Sequence, residues 1–295
     1  MAPDELQPLL FAIAYRMLGS VADAEDVVQE AFLRLQRARD EGTVIESERA
    51  FLTTVATRLA IDQLRSARRQ REQYFGPWLP EPLLTDARSD PAELADMSDS
   101  LSMSFLVLLE TLSPVERAVF LLRQVFDYGY DEIAEVVGKS EANCRQLFVR
   151  AQRRIDEGKP RFAVDRERQA ALASRFLAAA QEGDVSGLVE YLASDVVFYG
   201  DGGGKGRGLP RPVYTRAKVG RLLASFFASY RKIGAEFVPT EVNGQPAVLA
   251  LDAQRRLINV LGFEIADGAI QTVRSVINPD KLGHLGYPLS ELGRA

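Results

Sequence analysis

Cysteine, histidine and tryptophan are almost missing from this chain, which has one of each: Cys144, His284 and Trp78. A single thiol excludes an internal disulfide framework and any multi-cysteine zinc centre. A single imidazole removes most metal sites and most acid–base constellations that depend on histidine. Long apolar runs are also missing, and none approaches the ~18 consecutive apolar residues of a membrane helix. The first ten residues are acidic and lack the cationic start of a secretory signal. The expected compartment is therefore the cytoplasm, with no metal and no cofactor.

A basic overall balance is lacking as well. The net charge is −5 over 295 residues, whereas nucleic-acid binders usually carry a basic footprint. The average conceals a partition. Residues 51–71 hold Arg58, Arg65, Arg68, Arg69 and Arg71 against Asp62, a local charge of +4. Residues 139–154 hold Lys139, Arg145, Arg150, Arg153 and Arg154 against Glu141, again +4. Between them, residues 72–100 carry seven acids against Arg88, giving −6. Two basic islands joined by an acidic connector are what the composition leaves to be explained.

Apolar spacing places both islands on helices. From Val21 to Leu35, the residues Ala24, Val27, Val28, Ala31, Phe32 and Leu35 recur at i, i+3, i+4 and i+7, with Ser20 and Asp23 as a capping pair. The opposite face carries Asp26, Gln29, Glu30 and Arg34. A second helix is expected over 49–69, burying Phe51, Leu52, Val55, Leu59 and Leu64. Periodicity then fails from Tyr74 to Ser100, where Pro77, Pro80, Pro82 and Pro91 mark a linker containing an apolar cluster, Tyr74, Phe75, Trp78 and Leu79. Ser113-Pro-Val-Glu116 combines an N-cap, a proline at the first helical position and a capping-box glutamate.

Residues 131–154 fit a helix-turn-helix. Ala134 permits a close crossing, Gly138 takes the left-handed turn, and Ile133, Val137, Cys144 and Leu147 form the shared core. Asn143, Arg145, Gln146, Val149 and Arg150 are then exposed on the second helix. Arg and Gln suit base edges in a major groove, while Arg153 and Arg154 suit phosphates. A helical hairpin with a solvated basic face is the alternative. After Pro160, helices are expected over 165–181, 185–192 and 215–230. From Ile233 short strands follow, with hairpin turns at Asn243-Gly244 and Asp267-Gly268. Three helices followed by a meander make an α+β domain.

Collinear runs within this pattern resemble a known family. Asp23-Ala-Glu-Asp-Val-Val-Gln-Glu-Ala-Phe-Leu-Arg34 is similar to region 2.2 of the extracytoplasmic-function (group IV) RNA polymerase sigma factors. Residues Ala50 to Arg65 are similar to their regions 2.3 and 2.4. Leu112-Ser-Pro-Val-Glu-Arg-Ala-Val-Phe120 with the helix-turn-helix is similar to region 4. Three motifs in order are far more specific than one. The resemblance implies that Asp26, Gln29 and Glu30 bind the β′ clamp helices of core polymerase, with a further contact to the β flap. It implies that the loop 46–49, ending at Arg49, and Arg58, Asp62, Arg65, Arg68 and Arg69 engage the −10 element, where a base is flipped from the stack. It also implies that Asn143, Arg145, Gln146, Val149, Arg150 and Arg153 read the −35 element. Arg58 stands where many relatives have Asn, which leaves the identity of the flipped base open.

Three further runs, Trp78-Leu79-Pro80-Glu81-Pro82, Asp201-Gly202-Gly203-Gly204-Lys205 and Asn278-Pro279-Asp280-Lys-Leu282, resemble a subgroup with a SnoaL-like, NTF2-fold C-terminal domain. That subgroup regulates itself in cis and has no dedicated anti-sigma partner. Spacing alone makes 201–205 a surface loop, too short and wrongly ended for a P-loop; the resemblance instead implies contact with the linker or first helical module, with Trp78 as an anchor. The reading is a multidomain chain of two all-α modules and one α+β cone. Its parts are sigma-2 (1–73), a linker (74–99), sigma-4 (100–160) and the regulatory domain (164–295). The cone leaves room for an unidentified small ligand. Two rivals remain: a helix-turn-helix regulator with a sensing domain, and an NTF2-fold enzyme using Asp195 or Asp201 beside the lone His284.

Overall fold

The computed structural model describes residues 3–71, 73–85, 100–158, 166–205 and 208–293. It forms two compact units. One comprises Met1–Gln73 with Ser104–Lys159, and the other Tyr74–Met103 with Pro160–Ala295.

The first unit is helical. Helices α1 (Pro3–Leu18), α2 (Val21–Asp40) and α3 (Glu48–Arg71) pack against one another. The Ser20 hydroxyl caps α2 by accepting from the Asp23 amide (3.2 Å), and Ala24, Val27, Val28, Ala31 and Leu35 are buried. Four more helices follow: α4 (Met103–Leu109), α5 (Pro114–Gln124), α6 (Tyr130–Val137) and α7 (Glu141–Gly158). The expected capping box starts α5: Glu116 N–H donates to Ser113 Oγ and Ser113 N–H to Glu116 Oε2. Gly138 ends α6 at φ +66, a left-handed conformation that side chains resist, and so sets the turn into α7.

Two burial expectations shift. In α6 the fully enclosed partner of Ile133 is Val136, while Val137 stays half-buried. On α3, Leu52 and Leu64 are buried as expected, but Phe51, Val55 and Leu59 are only half-buried. The enclosed stripe also contains Thr53, Ala56, Thr57 and Ala60. The reason is packing on two sides. Helix α3 lies against α1 and α2 and also against α5 and α6, and small residues let several helices approach one axis.

The second unit has α8 (Arg166–Glu182), α9 (Val185–Glu190) and α10 (Arg216–Lys232) against a six-stranded sheet. The strands are β1 (Leu192–Asp201), β2 (Val213–Tyr214), β3 (Glu236–Val242), β4 (Gln245–Leu251), β5 (Leu257–Ala266) and β6 (Ala269–Val276). Their order is β2-β1-β6-β5-β4-β3, antiparallel except for the parallel pair β1–β6. Both hairpin turns form where expected, with Asn243, Gly244, Asp267 and Gly268 at positive φ. Strand β1 is the difference: the expected helix 185–192 stops at Glu190, and a strand follows at once. Its alternation, with Val196 and Phe198 in the core, is short and lies directly behind a helical signal. Between helices and sheet the core is filled by aromatic rings, among them Phe176 against Phe263 (5.2 Å between centroids) and Phe227 against Phe237 (4.9 Å).

One carboxylate in the first unit carries unusual weight. Glu110 accepts from Arg117 and from Arg71, each at 2.5 Å. Burial alone would raise its pKa, but the two guanidiniums outweigh that and hold it below the ordinary 4.5. A depressed carboxyl contributes stability that is complete above its unfolded-state pKa and is lost as pH falls through its folded one. Glu110→Gln should therefore lower unfolding stability at pH 7 by about 2 kcal/mol. In urea titrations repeated at falling pH, the gap between wild type and variant should close in acid; a constant gap would refute the ionic assignment.

Candidate functional site

The acidic face of α2 is open to solvent. Asp26 and Gln29 are exposed, and Glu30 is half-exposed with its carboxylate accepting from Arg34 Nε (2.8 Å). That hydrogen bond lowers the Glu30 pKa, which keeps the carboxylate charged. Beside these residues runs an open groove of about 740 Å³ between α1 and α2, lined by Phe11, Val28, Phe32 and Leu33 and edged by Gln7, Glu25 and Gln29. Leu33 is 47% exposed. Phe32 is thus not a plain core residue but part of an apolar lip, which charge patterning had hidden.

The basic helix is partly engaged within its own unit. Arg49 lies over the Tyr128 ring at 5.8 Å, and Asp62 pairs with Arg65 at 2.8 Å. Arg58 donates from Nε to the Val136 carbonyl and from Nη2 to the Glu135 carbonyl, both at 2.8 Å. Arg68 and Arg69 fall on α3, but their side chains lie outside the described residues.

On α7, Asn143, Arg145, Gln146, Val149, Arg150 and Arg153 are all exposed, with Val149 at 65%. Most of its cations have acidic neighbours: Arg145 with Glu141 (2.9 Å) and Arg153 with Glu157 (2.9 Å). Arg154 donates to Glu116 at 3.0 Å, and Arg150 lies 3.8 Å from the same carboxylate. Arg154 therefore ties α7 to the capping box of α5 in addition to carrying charge. The exposed pairs are weak, worth about 0–1 kcal/mol, and separate readily for a polyanion.

Residues 74–85 of the linker are anchored. Asp201, fully buried at the end of β1, accepts from the Tyr74 hydroxyl, the Leu79 amide (2.8 Å) and the Lys281 ammonium (2.6 Å). Lys281 also donates to the Leu79 carbonyl, and its Nζ lies 4.4 Å from the centroid of Trp78 and 4.8 Å from that of Tyr74. Burial, then the Asp201 hydrogen bond, pushes the Tyr74 phenol far above its usual pKa, so it remains a donor. Asn278 closes the ring by donating to the Tyr74 oxygen (2.9 Å), while its own amide and that of Ile277 donate to the Asp201 carbonyl.

The glycine run makes this possible. A Cβ on Gly203, at φ +58, would stand 2.3 Å from Asn278 Nδ2, and Gly204 lies against Phe75. Gly202 is buried, whereas Lys205 and Asp280 form a pair at 2.5 Å that is more than half exposed. Pro279 opens a short 3-10 turn behind Asn278.

Farther along, Pro80, Glu81 and Pro82 are buried, and His284 Nε2 lies 2.7 Å from the Pro82 carbonyl. Leu83 and Thr85 then add to the β3–β4 edge, with Thr85 N–H donating to Glu241 and Asn243 N–H to Leu83. Lys281 and Asn243 are site residues that the sequence does not single out; Lys281 lies within the run 278–282, but a buried lysine between two rings leaves no spacing signal. Asp201 is committed to three donors, and Asp195 is exposed on β1.

Comparison with known proteins agrees along the whole chain. Residues 4–70 match the family described as Sigma-70 region 2, and residues 102–155 match Sigma-70, region 4. The chain is 37% identical over 298 residues to the ECF RNA polymerase sigma factor SigJ of Mycobacterium tuberculosis, covering 98% of this chain and 94% of that protein. It is 33% identical to the probable ECF RNA polymerase sigma factor SigI of M. tuberculosis, covering 94% and 92%. The crystal structure of M. tuberculosis SigJ superposes with a TM-score of 0.76 at 34% identity, covering 97% of this chain and 99% of that one.

Because Trp78 is the chain's one tryptophan, its fluorescence reports the linker anchorage directly. Lys281→Met and Asp201→Asn should each shift emission to the red and increase acrylamide quenching about two- to threefold, since removing one partner of a buried pair costs about 3–5 kcal/mol. Unchanged spectra in both variants would mean the anchorage does not exist in solution.

Proposed function

The chain belongs to the ECF family of RNA polymerase sigma factors, and we propose that its C-terminal domain regulates it in cis by holding the connector between its two DNA-binding modules. As a sigma factor it acts in transcription initiation, with core RNA polymerase and promoter DNA as partners. In our reading the sigma-2 module (1–73) docks on the β′ clamp helices through Asp26, Gln29, Glu30 and the apolar groove beside them. The same module engages the −10 element through Arg49, Arg58, Asp62, Arg65, Arg68 and Arg69. The sigma-4 module (100–160) meets the β flap and reads the −35 element through Asn143, Arg145, Gln146, Val149, Arg150 and Arg153. The protein performs no catalysis of its own, works in the cytoplasm, and needs no dedicated anti-sigma partner because the C-terminal domain (164–295) supplies the restraint.

The observation supporting cis control is the anchorage of Trp78–Pro82. A connector fixed by Asp201, Lys281 and His284 cannot extend freely, and reach between two promoter elements depends on connector length and stiffness. Releasing it changes the spacing available to the modules without touching either DNA surface.

Two measurements test this reading. Asp26→Arg with Glu30→Arg should abolish co-purification with core polymerase, because cations replace the carboxylates at the docking face; retained binding would remove the β′ assignment. In reconstituted run-off transcription, Asp201→Asn should change promoter output at least threefold while polymerase binding persists. An unaltered output would sink cis regulation and leave the sigma-factor assignment standing.

A further inference from the structure

Helix α6 ends with carbonyls that have no intrahelical donors, as every α-helix does. The Ala134 carbonyl is met locally by the amides of Gly138 and Lys139. The carbonyls of Glu135 and Val136 are met by Arg58 of α3, a residue 77 and 78 positions away in the chain. A guanidinium is well suited to this task. Its planar fork spans two neighbouring oxygens, and its charge faces the negative end of the helix dipole.

The exchange is reciprocal. Helix α1 ends with the carbonyls of Arg16 and Leu18; the first accepts from Arg117 Nε (3.1 Å) of α5 and the second from Arg71 Nη2 (2.6 Å) of α3. Each module thus supplies an arginine that caps a helix of the other. Around Arg58, the same edge of α3 places Arg49 over the Tyr128 ring and bonds Thr53 Oγ1 to the Tyr128 hydroxyl at 3.0 Å in a buried contact.

We propose that Arg58 is a releasable latch that keeps the helix-turn-helix module docked on α3 in the free protein. Of the caps exchanged between modules, Arg117 is enclosed at 1% exposure, whereas Arg58 is exposed. Arg58 is therefore the one that solvent or a polyanion reaches first. With Nε and Nη2 committed to carbonyls, it is not presented to nucleic acid in this arrangement. Its consequence for promoter binding rests on the −10 reading given above: drawing Arg58 to DNA uncaps α6 and loosens the second module from the first.

The test uses the full chain carrying Thr53→Cys, whose thiol lies at the docked edge, with native Cys144 buried inside the helix-turn-helix as an internal control. Maleimide labelling of each thiol is followed by mass spectrometry with Arg58 intact, Arg58→Ala and Arg58→Lys. Arg58→Ala should speed labelling at position 53 about tenfold, equivalent to about 1.4 kcal/mol, and leave Cys144 unchanged. Arg58→Lys should also accelerate it, since one ammonium cannot span both carbonyls. Equal acceleration at both thiols would show loss of the fold rather than undocking and would overturn the latch, as would unchanged rates at both. Run-off transcription from preassembled holoenzyme separates the two roles. Faster labelling with normal transcription supports the latch and removes Arg58 from the −10 contacts.

Discussion

The last turn of an α-helix presents carbonyl oxygens that must find donors from outside the helix, and in the first unit arginines from neighbouring helices supply them. Arg117 and Arg71 serve the end of α1, and Arg58 serves the end of α6. The two positive charges beside α1 are in turn balanced by Glu110. This constraint works beside the apolar core, since the stripe that α3 buries is made mainly of small residues. Small side chains bring helices close but give them little directional preference; charge-assisted hydrogen bonds to fixed carbonyls supply the register.

The second unit solves a comparable problem with a carboxylate. Asp201 is buried with an ammonium, a phenol and a backbone amide around its carboxylate. A buried ion pair of this kind contributes little net stability against an apolar replacement, yet separating it is costly. It therefore acts as a specific fastening. The linker residues it fastens, 74–82, carry three prolines. The end of β3 and its turn into β4 then extend the hold through Leu83 and Thr85, using backbone hydrogen bonds together with the side chains of Glu241, Asn243 and Thr85.

Set against the sigma-factor role, the two fastenings act on different degrees of freedom. The exchanged caps join helices of the two modules, and the Asp201 cluster holds residues of the connector between them. The acidic side of α2 belongs to neither fastening. Asp26 and Gln29 are exposed there beside the apolar groove.

Sequence alone determined what depends on neighbours along the chain. The α2 stripe, the capping box at Ser113 and Glu116, the left-handed Gly138 and both hairpin turns were legible because caps, periodicity and turn residues act within a few positions. The polar residues expected on the outer faces of α2 and α7 are exposed or half-exposed there. Strand β1 escaped because a short alternation follows a helix without a break. The tertiary structure decided everything that joins distant segments: Arg58 to Glu135 and Val136, Arg117 to Arg16, and Lys281 between Tyr74 and Trp78. An arginine on a basic helix has the same local signature whether it meets phosphate or a helix end. Only folding, which sets the distance to each acceptor, chooses between them.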